Sequence, residues 1–185
     1  MKRLFIATDI SDEARAAASE IIQRLRKAHP VKGIFWAKPQ NLHVTIKFLG
    51  DTDDEIVPQL IGSITKIASQ FPTFALRLDG PELLGKRVMS IKIGSDTPTI
   101  FDLEKRMDTE CESLGFKREG RRFHPHLTLA RIRDPRSAGA LPREFCNTQI
   151  EPVAFDVREI VLYESRLTPS GSVYTSIGTS AFVQN

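Results

Sequence analysis

His43 and His126 each stand two residues before a threonine, Thr45 and Thr128, inside short runs where apolar and polar residues alternate. The first run is Leu42-His43-Val44-Thr45-Ile46-Lys47-Phe48, and the second is Pro125-His126-Leu127-Thr128-Leu129-Ala130-Arg131. Successive side chains on a strand point to opposite faces, so each run presents an imidazole and a hydroxyl together, about 7 Å apart along the strand. The same parity puts Lys47 beside them and sets Leu42, Val44, Ile46 and Phe48 on a core face. It turns Arg131 away from His126 unless the strand twists or ends there. Two imidazoles of ordinary pKa, near ~6.5, can serve as acid and base around neutral pH. Two hydroxyls can donate to oxygens that gather negative charge. Phosphodiester hydrolysis needs such a set: one group to take a proton from water, one to protonate the leaving oxygen, and fixed donors for the phosphoryl oxygens.

A lone His-x-Thr on a strand is ordinarily a partly buried histidine beside a β-favouring threonine. Two copies among four histidines amount to roughly a one-in-a-thousand coincidence, which favours chemistry. Arg118, Arg121, Arg122, Arg131, Arg133 and Arg136 crowd around the second motif, and some of them are expected to face phosphate. Other patterns carry less. Gly80-x4-Gly85-Lys86 approaches a phosphate-binding loop, but Arg87 stands where a Mg²⁺-holding hydroxyl belongs, and Val88 to Ile93 alternates like a strand. His124 and His126 could be two ligands of a metal, yet no third ligand shows a matching motif, so no metal and no cofactor is expected. His124 is expected to hydrogen-bond near the site and His29 to lie at the surface. Trp36, Phe48, Phe123 and Tyr163 could stack a base, although each is more often a core residue.

The elements that position these residues follow from periodicity. Strands are expected at 3–9, 34–38, 42–49, 73–79, 88–93, 126–131, 153–166 and 173–181. Ser11 caps a helix over 12–28. Thr52-Asp53-Asp54-Glu55 reads as a capping box opening a helix to about Ser69, with Pro58 allowing a later start. Thr97-Pro98 opens a helix that runs to Leu114 and stops at Gly115. A short helix or loop fills the stretch to about 148, and Thr168-Pro169-Ser170-Gly171 is expected to turn the last two strands into a hairpin. The order is α+β. A helix, a loop and a His-x-Thr strand occur twice, which suggests two related lobes in one domain, residues 1–185.

Composition sets the limits. The chain has 185 residues, 41% hydrophobic and 26% charged, with a net charge of +3 and a pI near 9.0, which is compatible with an anionic ligand without requiring one. The two cysteines match no paired motif, so a reducing compartment is the simpler reading. The first strand opens with charge and lacks a leader's apolar stretch, and no run is long enough to span a bilayer. A cytoplasmic location, no membrane partner and a monomer are expected.

Trp36-x6-His43-Val44-Thr45-Ile46-Lys47-Phe48-Leu49-Gly50 and Arg122-Phe123-His124-Pro125-His126-Leu127-Thr128-Leu129-Ala130-Arg131 resemble the paired signatures of the bacterial and archaeal RNA 2′,3′-cyclic phosphodiesterases. These form the LigT-like, or ThpR-type, branch of the 2H phosphoesterase superfamily. Leu162-Tyr163-Glu164-Ser165 with Pro169-x-Gly171-x-x-Tyr174 resembles the family's C-terminal hairpin. Nearly the whole chain is covered. The match departs at residues 80–90, where members often carry a Gly-rich loop ending in Phe-Pro. The resemblance implies two pseudo-symmetric lobes, each an antiparallel sheet with helices on its outer face, around a V-shaped cleft. It implies metal-independent hydrolysis of RNA 2′,3′-cyclic phosphate ends, tRNA fragments among them, or of cyclic nucleotides, to 2′-phosphomonoesters. His43 would be the general acid and His126 the general base. Thr45 and Thr128 would hold the non-bridging oxygens, with Arg131 adding charge. Two other readings stay open: a 2′-5′ RNA ligase, in which an RNA 5′-hydroxyl replaces water, and a non-catalytic module that binds RNA ends.

Overall fold

Residues 1–169 and 171–184 are described by a computed structural model. The strands are β1 (Lys2–Asp9), β2 (Ile34–Trp36), β3 (His43–Thr52), β4 (Phe74–Leu84), β5 (Val88–Gly94), β6 (His126–Ile132), β7 (Val153–Val157), β8 (Glu159–Thr168) and β9 (Gly171–Ala181). The helices are α1 (Asp12–Ala28), α2 (Val57–Ala68), α3 (Thr99–Ser113) and α4 (Leu141–Cys146). The strands join in the order β7-β4-β5-β6-β3-β1-β8-β9, with antiparallel neighbours throughout. From the central pair outward the two halves correspond: β3-β1-β8-β9 on one side, β6-β5-β4-β7 on the other. A helix lies between β1 and β3 in the chain, and another between β5 and β6. The expected α+β fold of two pseudo-symmetric lobes is the observed one.

β3 and β6 pair only through Val44 and Leu127. Farther along β6, β2 takes the neighbouring place, with Trp36 opposite Ala130 and Phe35 opposite Arg131. The two lobes therefore splay from one shared point, which opens the cleft.

Each helix covers the sheet its apolar stripe fits, and the assignment is crossed. α1 follows β1 but packs on β7 of the other lobe, where α4 covers β4. α3 follows β5 but packs on β3, beside α2, which covers β8 and β9. Ser11 caps α1 as expected, its hydroxyl accepting from the Ala14 amide, and the stripe Ala14, Ala18, Ile21, Ile22, Leu25 is buried. His29 ends α1 half-buried rather than at the surface, because its Nε2 lies 2.7 Å from Glu144 on α4.

Several expectations fail for local reasons. Thr52 is no helix cap: it is the last residue of β3, buried, and its hydroxyl donates to the Gly50 carbonyl. Asp54–Ile56 form a single 3₁₀ turn, and α2 starts later with Pro58 in its first turn, where a missing N–H costs nothing. Thr97 does not cap α3 either, since its hydroxyl meets that of Thr99. The stretch 153–166 is two strands. The chain switches lobes at Arg158, so that β7 pairs with β4 while β8 pairs with β1. Ser170 of the expected Thr168-Pro169-Ser170-Gly171 turn lies outside the described residues. The near phosphate-loop at Gly80 to Lys86 is the end of β4 and its turn into β5, and opens no helix. Among the described residues no helix is long and apolar enough to cross a membrane. Both cysteines are unpaired, Cys111 buried and Cys146 exposed.

Candidate active site

His43 begins β3 and His126 begins β6. The strands meet at Val44 and Leu127, the residues between histidine and threonine in each motif, and both are fully buried. Parity then sends His43, Thr45, His126 and Thr128 to the opposite, cleft face. The four residues singled out by spacing are brought together at the point where the lobes join.

The two imidazoles are held alike. His43 Nδ1 lies 2.7 Å from the Asn41 carbonyl, and His126 Nδ1 lies 2.8 Å from the His124 carbonyl. A carbonyl only accepts, so each Nδ1 carries the proton and each Nε2 is the basic nitrogen of the neutral ring. Asn41 is itself fixed, its side-chain amide donating to the Ser172 carbonyl at 2.8 Å. Arg15 on α1 donates to the carbonyls of Pro39 at 2.6 Å and Leu42 at 3.1 Å, which holds the approach to His43. His43 Nε2 is 3.0 Å from the Thr45 hydroxyl. The spacing along the strand suggested a wider separation, but the side chains lean together.

A bulge in each lobe alters the facing of the residues just past the motif. In β1–β3, Ala7 pairs with Thr45 and Ile6 with Lys47, leaving Ile46 as the extra residue. In β5–β6, Ser90 pairs with Thr128 and Met89 with Ala130, leaving Leu129 extra. Ile46 and Leu129 are each three residues after their histidine. An extra residue reverses parity, so Phe48 and Arg131 rejoin the cleft face, both exposed. Simple alternation misplaced three residues here. Arg131 shares the face of His126, Phe48 leaves the core face at 62% exposure, and Lys47 turns inward. Lys47 is buried with its ammonium 2.5 Å from Asp108 on α3 and 3.0 Å from the Lys117 carbonyl.

The cleft walls differ. On the β3 side the rings of Phe5, Tyr163 and Tyr174 gather around His43, with Phe5 4.8 Å and Tyr174 5.3 Å from its ring. Asp9 pairs with His43 across the strands and accepts from the Tyr163 hydroxyl at 2.8 Å. On the β6 side Lys92 pairs with His126. His124, the loop histidine expected near the cleft, lies 2.6 Å from Glu82 through Nε2, and its ring parallels that of His126 at 6.4 Å. Phe35, opposite Arg131, is 62% exposed. Asp9, Asn41, Glu82, Lys92 and Phe35 carry no motif that marks them as site residues. Only the strand register places them beside the two histidines. Trp36 and Phe123 pack against the core.

Burial lowers the pKa of both cleft-face histidines. For His43, burial outweighs the Asn41 carbonyl and the charge of Asp9, which both raise it, while His126 and Arg131 lower it further. For His126, burial again leads; the His124 carbonyl and Glu82 raise it, and the charges of His124 and Arg131 lower it. Arg131 thus bears on both rings. Among the described residues no group of three or more His, Cys, Asp or Glu is placed to hold a metal.

A family model described as the 2′-5′ RNA ligase superfamily matches residues 12–168. A Methanocaldococcus jannaschii protein named RNA 2′,3′-cyclic phosphodiesterase is 30% identical over 95% of this chain and 98% of its own. The crystal structure of a Thermus thermophilus protein has a TM-score of 0.79 at 26% identity, covering 97% of both chains. E. coli LigT complexed with 3′-AMP has a TM-score of 0.76 at 28% identity, covering 99% of both. The two His-x-Thr strands, their matched bulges and these likenesses agree: the chain belongs to the 2′-5′ RNA ligase superfamily, on the branch whose relatives carry the name RNA 2′,3′-cyclic phosphodiesterase.

Proposed function

We propose that this protein hydrolyses RNA 2′,3′-cyclic phosphate ends to 2′-phosphomonoesters by general acid–base catalysis, without a metal. The observation that carries the reading is the pair of imidazoles on one cleft face, each held at Nδ1 by a backbone carbonyl so that Nε2 is the basic nitrogen, turned in His43 to the motif hydroxyl of Thr45. The relatives' name and the 3′-AMP held by E. coli LigT point to the same substrate class. In the reaction His126 Nε2 takes a proton from water, whose oxygen bonds to phosphorus. The bond from phosphorus to the 3′-oxygen breaks, and that oxygen takes the proton from His43 Nε2. A 3′-hydroxyl and a 2′-phosphate remain, His126 is protonated, His43 is neutral, and solvent resets both. Thr45, Thr128 and Arg131 stabilise the charge on the non-bridging oxygens.

The surroundings favour His43 as the acid. Asp9, held by Tyr163, faces it and supports a proton there. Behind His126 the Glu82 carboxylate, which raises the pKa of that ring, is engaged by His124, which lowers it. The same ring opening with an RNA 5′-hydroxyl in place of water, which leaves a 2′-5′ bond, is the ligase reading, and no feature of the cleft favours it over water. The test is incubation of an oligonucleotide ending in a 2′,3′-cyclic phosphate, alone and with a 5′-hydroxyl oligonucleotide. The expected product is the 2′-phosphate end in both. Joined strands would favour the ligase, and tight binding without turnover would favour a binding module.

A further inference from the structure

Lys92 stands directly across from His126 in the β5–β6 pair. Side chains so paired share a face with Cβ atoms about 5 Å apart, and the four-carbon stem of lysine carries its charge farther into the cleft. Beyond it lies a pocket of about 340 Å³, lined by Lys92, Arg122, His124, Asp79 and the rings of Phe101 and Phe123. The two rings meet edge to face at 5.9 Å. The acidic group here is engaged, since Asp79 lies 3.5 Å from Arg77 Nε. His124 is occupied by Glu82. Lys92 and Arg122 are exposed and, among the described residues, neither forms an ion pair. The opposite wall has aromatic rings and Asp9 around His43. Two unpaired cations beside an aromatic wall, continuous with His126, fit the backbone and base of a single nucleic-acid strand.

We propose that this pocket is a subsite for the nucleotide preceding the reacting end of an RNA strand. Lys92 and Arg122 hold the adjoining phosphodiester, and the nucleoside packs on Phe123. The proposal rests on the cyclic-phosphate reading above and deepens it: the enzyme distinguishes an RNA end from a free cyclic mononucleotide by this second phosphate.

The test compares kcat/KM on a 2′,3′-cyclic mononucleotide and on a pentanucleotide ending in the same group, for wild type, Lys92→Ala, Arg122→Ala and the double variant. Circular dichroism checks that each is folded. Wild type should prefer the pentanucleotide by about 10-fold or more, from charge-assisted contacts. The double variant should lose that preference, and its log–log salt dependence on the pentanucleotide should be shallower by about 0.7 per cation removed. An unchanged preference overturns the subsite. So does an equal loss on both substrates, which would mean that the cations serve the reacting phosphate itself. If wild type turns over neither substrate, the function proposed above fails. The subsite is then decided by the affinity of a pentanucleotide ending in a 2′-phosphate: weaker, less salt-dependent binding by the double variant supports it, and unaltered binding overturns it.

Discussion

The two imidazoles share one hydrogen-bonding device but differ in what lies behind them, and in the proposed mechanism that difference divides their labour. Loss of either ring removes one proton-transfer step, so His43→Ala and His126→Ala should each lower turnover by roughly 10²- to 10⁴-fold. Both variants should stay folded, because each ring faces the cleft. A variant that keeps near wild-type turnover would make its histidine structural. The pH profile follows from the shifts. In the proposed mechanism the active form has one ring protonated and one neutral, so the rate should rise and then fall with pH, and the limbs belong to the pair. Both rings are shifted down in the free protein, mainly by burial, so the bell in kcat/KM should centre on the acid side of the ordinary histidine pKa, near ~6.5. Bound phosphate favours the protonated ring and should move the bell in kcat toward higher pH. His43→Ala should flatten the alkaline limb, where the acid loses its proton. His126→Ala should flatten the acidic limb, where the base gains one. Each variant losing the other's limb would exchange the roles.

The matched bulges at Ile46 and Leu129 decide which side chains join each histidine. They put Phe48 and Arg131 into the cleft and send Lys47 to the interior, where Asp108 and the loop before β6 hold it. That buried pair predicts a stability effect. Burial alone would raise the Asp108 pKa, but hydrogen bonds from Lys47, the Glu119 amide and Arg118 bring it below the ordinary carboxylate range. With Lys47 at 4% and Asp108 at 10% side-chain exposure, Asp108→Ala should cost about 3 kcal/mol in urea unfolding by leaving a buried ammonium unpaired. A loss under about 1 kcal/mol would show Lys47 satisfied by the Lys117 carbonyl and solvent. The elements themselves were largely legible. Ser11, the stripe of α1, and the presence of strands at β3, β5 and β6 all read correctly, because each signal is local. The motif residues His43, Thr45, His126 and Thr128 were legible for the same reason. The bulges were not, since an extra residue is defined by its partner strand and neither Ile46 nor Leu129 differs in type from a regular strand residue. The break at Arg158 was missed likewise: both flanking strands alternate, and only pairing reveals that they belong to different lobes.

Across the whole molecule the crossed helices tie the lobes together. α1 covers the sheet half that contains β7, and α3 covers the half that contains β3, so neither half can bury its core without the other. Thermal unfolding should therefore show one cooperative transition, with calorimetric and van't Hoff enthalpies equal; two resolved transitions would mean that the lobes are separate units. Both histidines come from one chain, so a monomer suffices, and the specific rate should not vary with protein concentration. In the proposed function this cleft opens a 2′,3′-cyclic phosphate with two histidines and no metal. The most direct measurement is ³¹P NMR of an RNA oligonucleotide with that end, incubated with the protein in excess chelator. The cyclic-phosphate resonance should be replaced by that of a 2′-phosphomonoester, at a rate unchanged by the chelator and abolished in the His43→Ala, His126→Ala double variant. A cyclic end that persists, or turnover that stops with chelator and returns with a divalent ion, would contradict the proposed function.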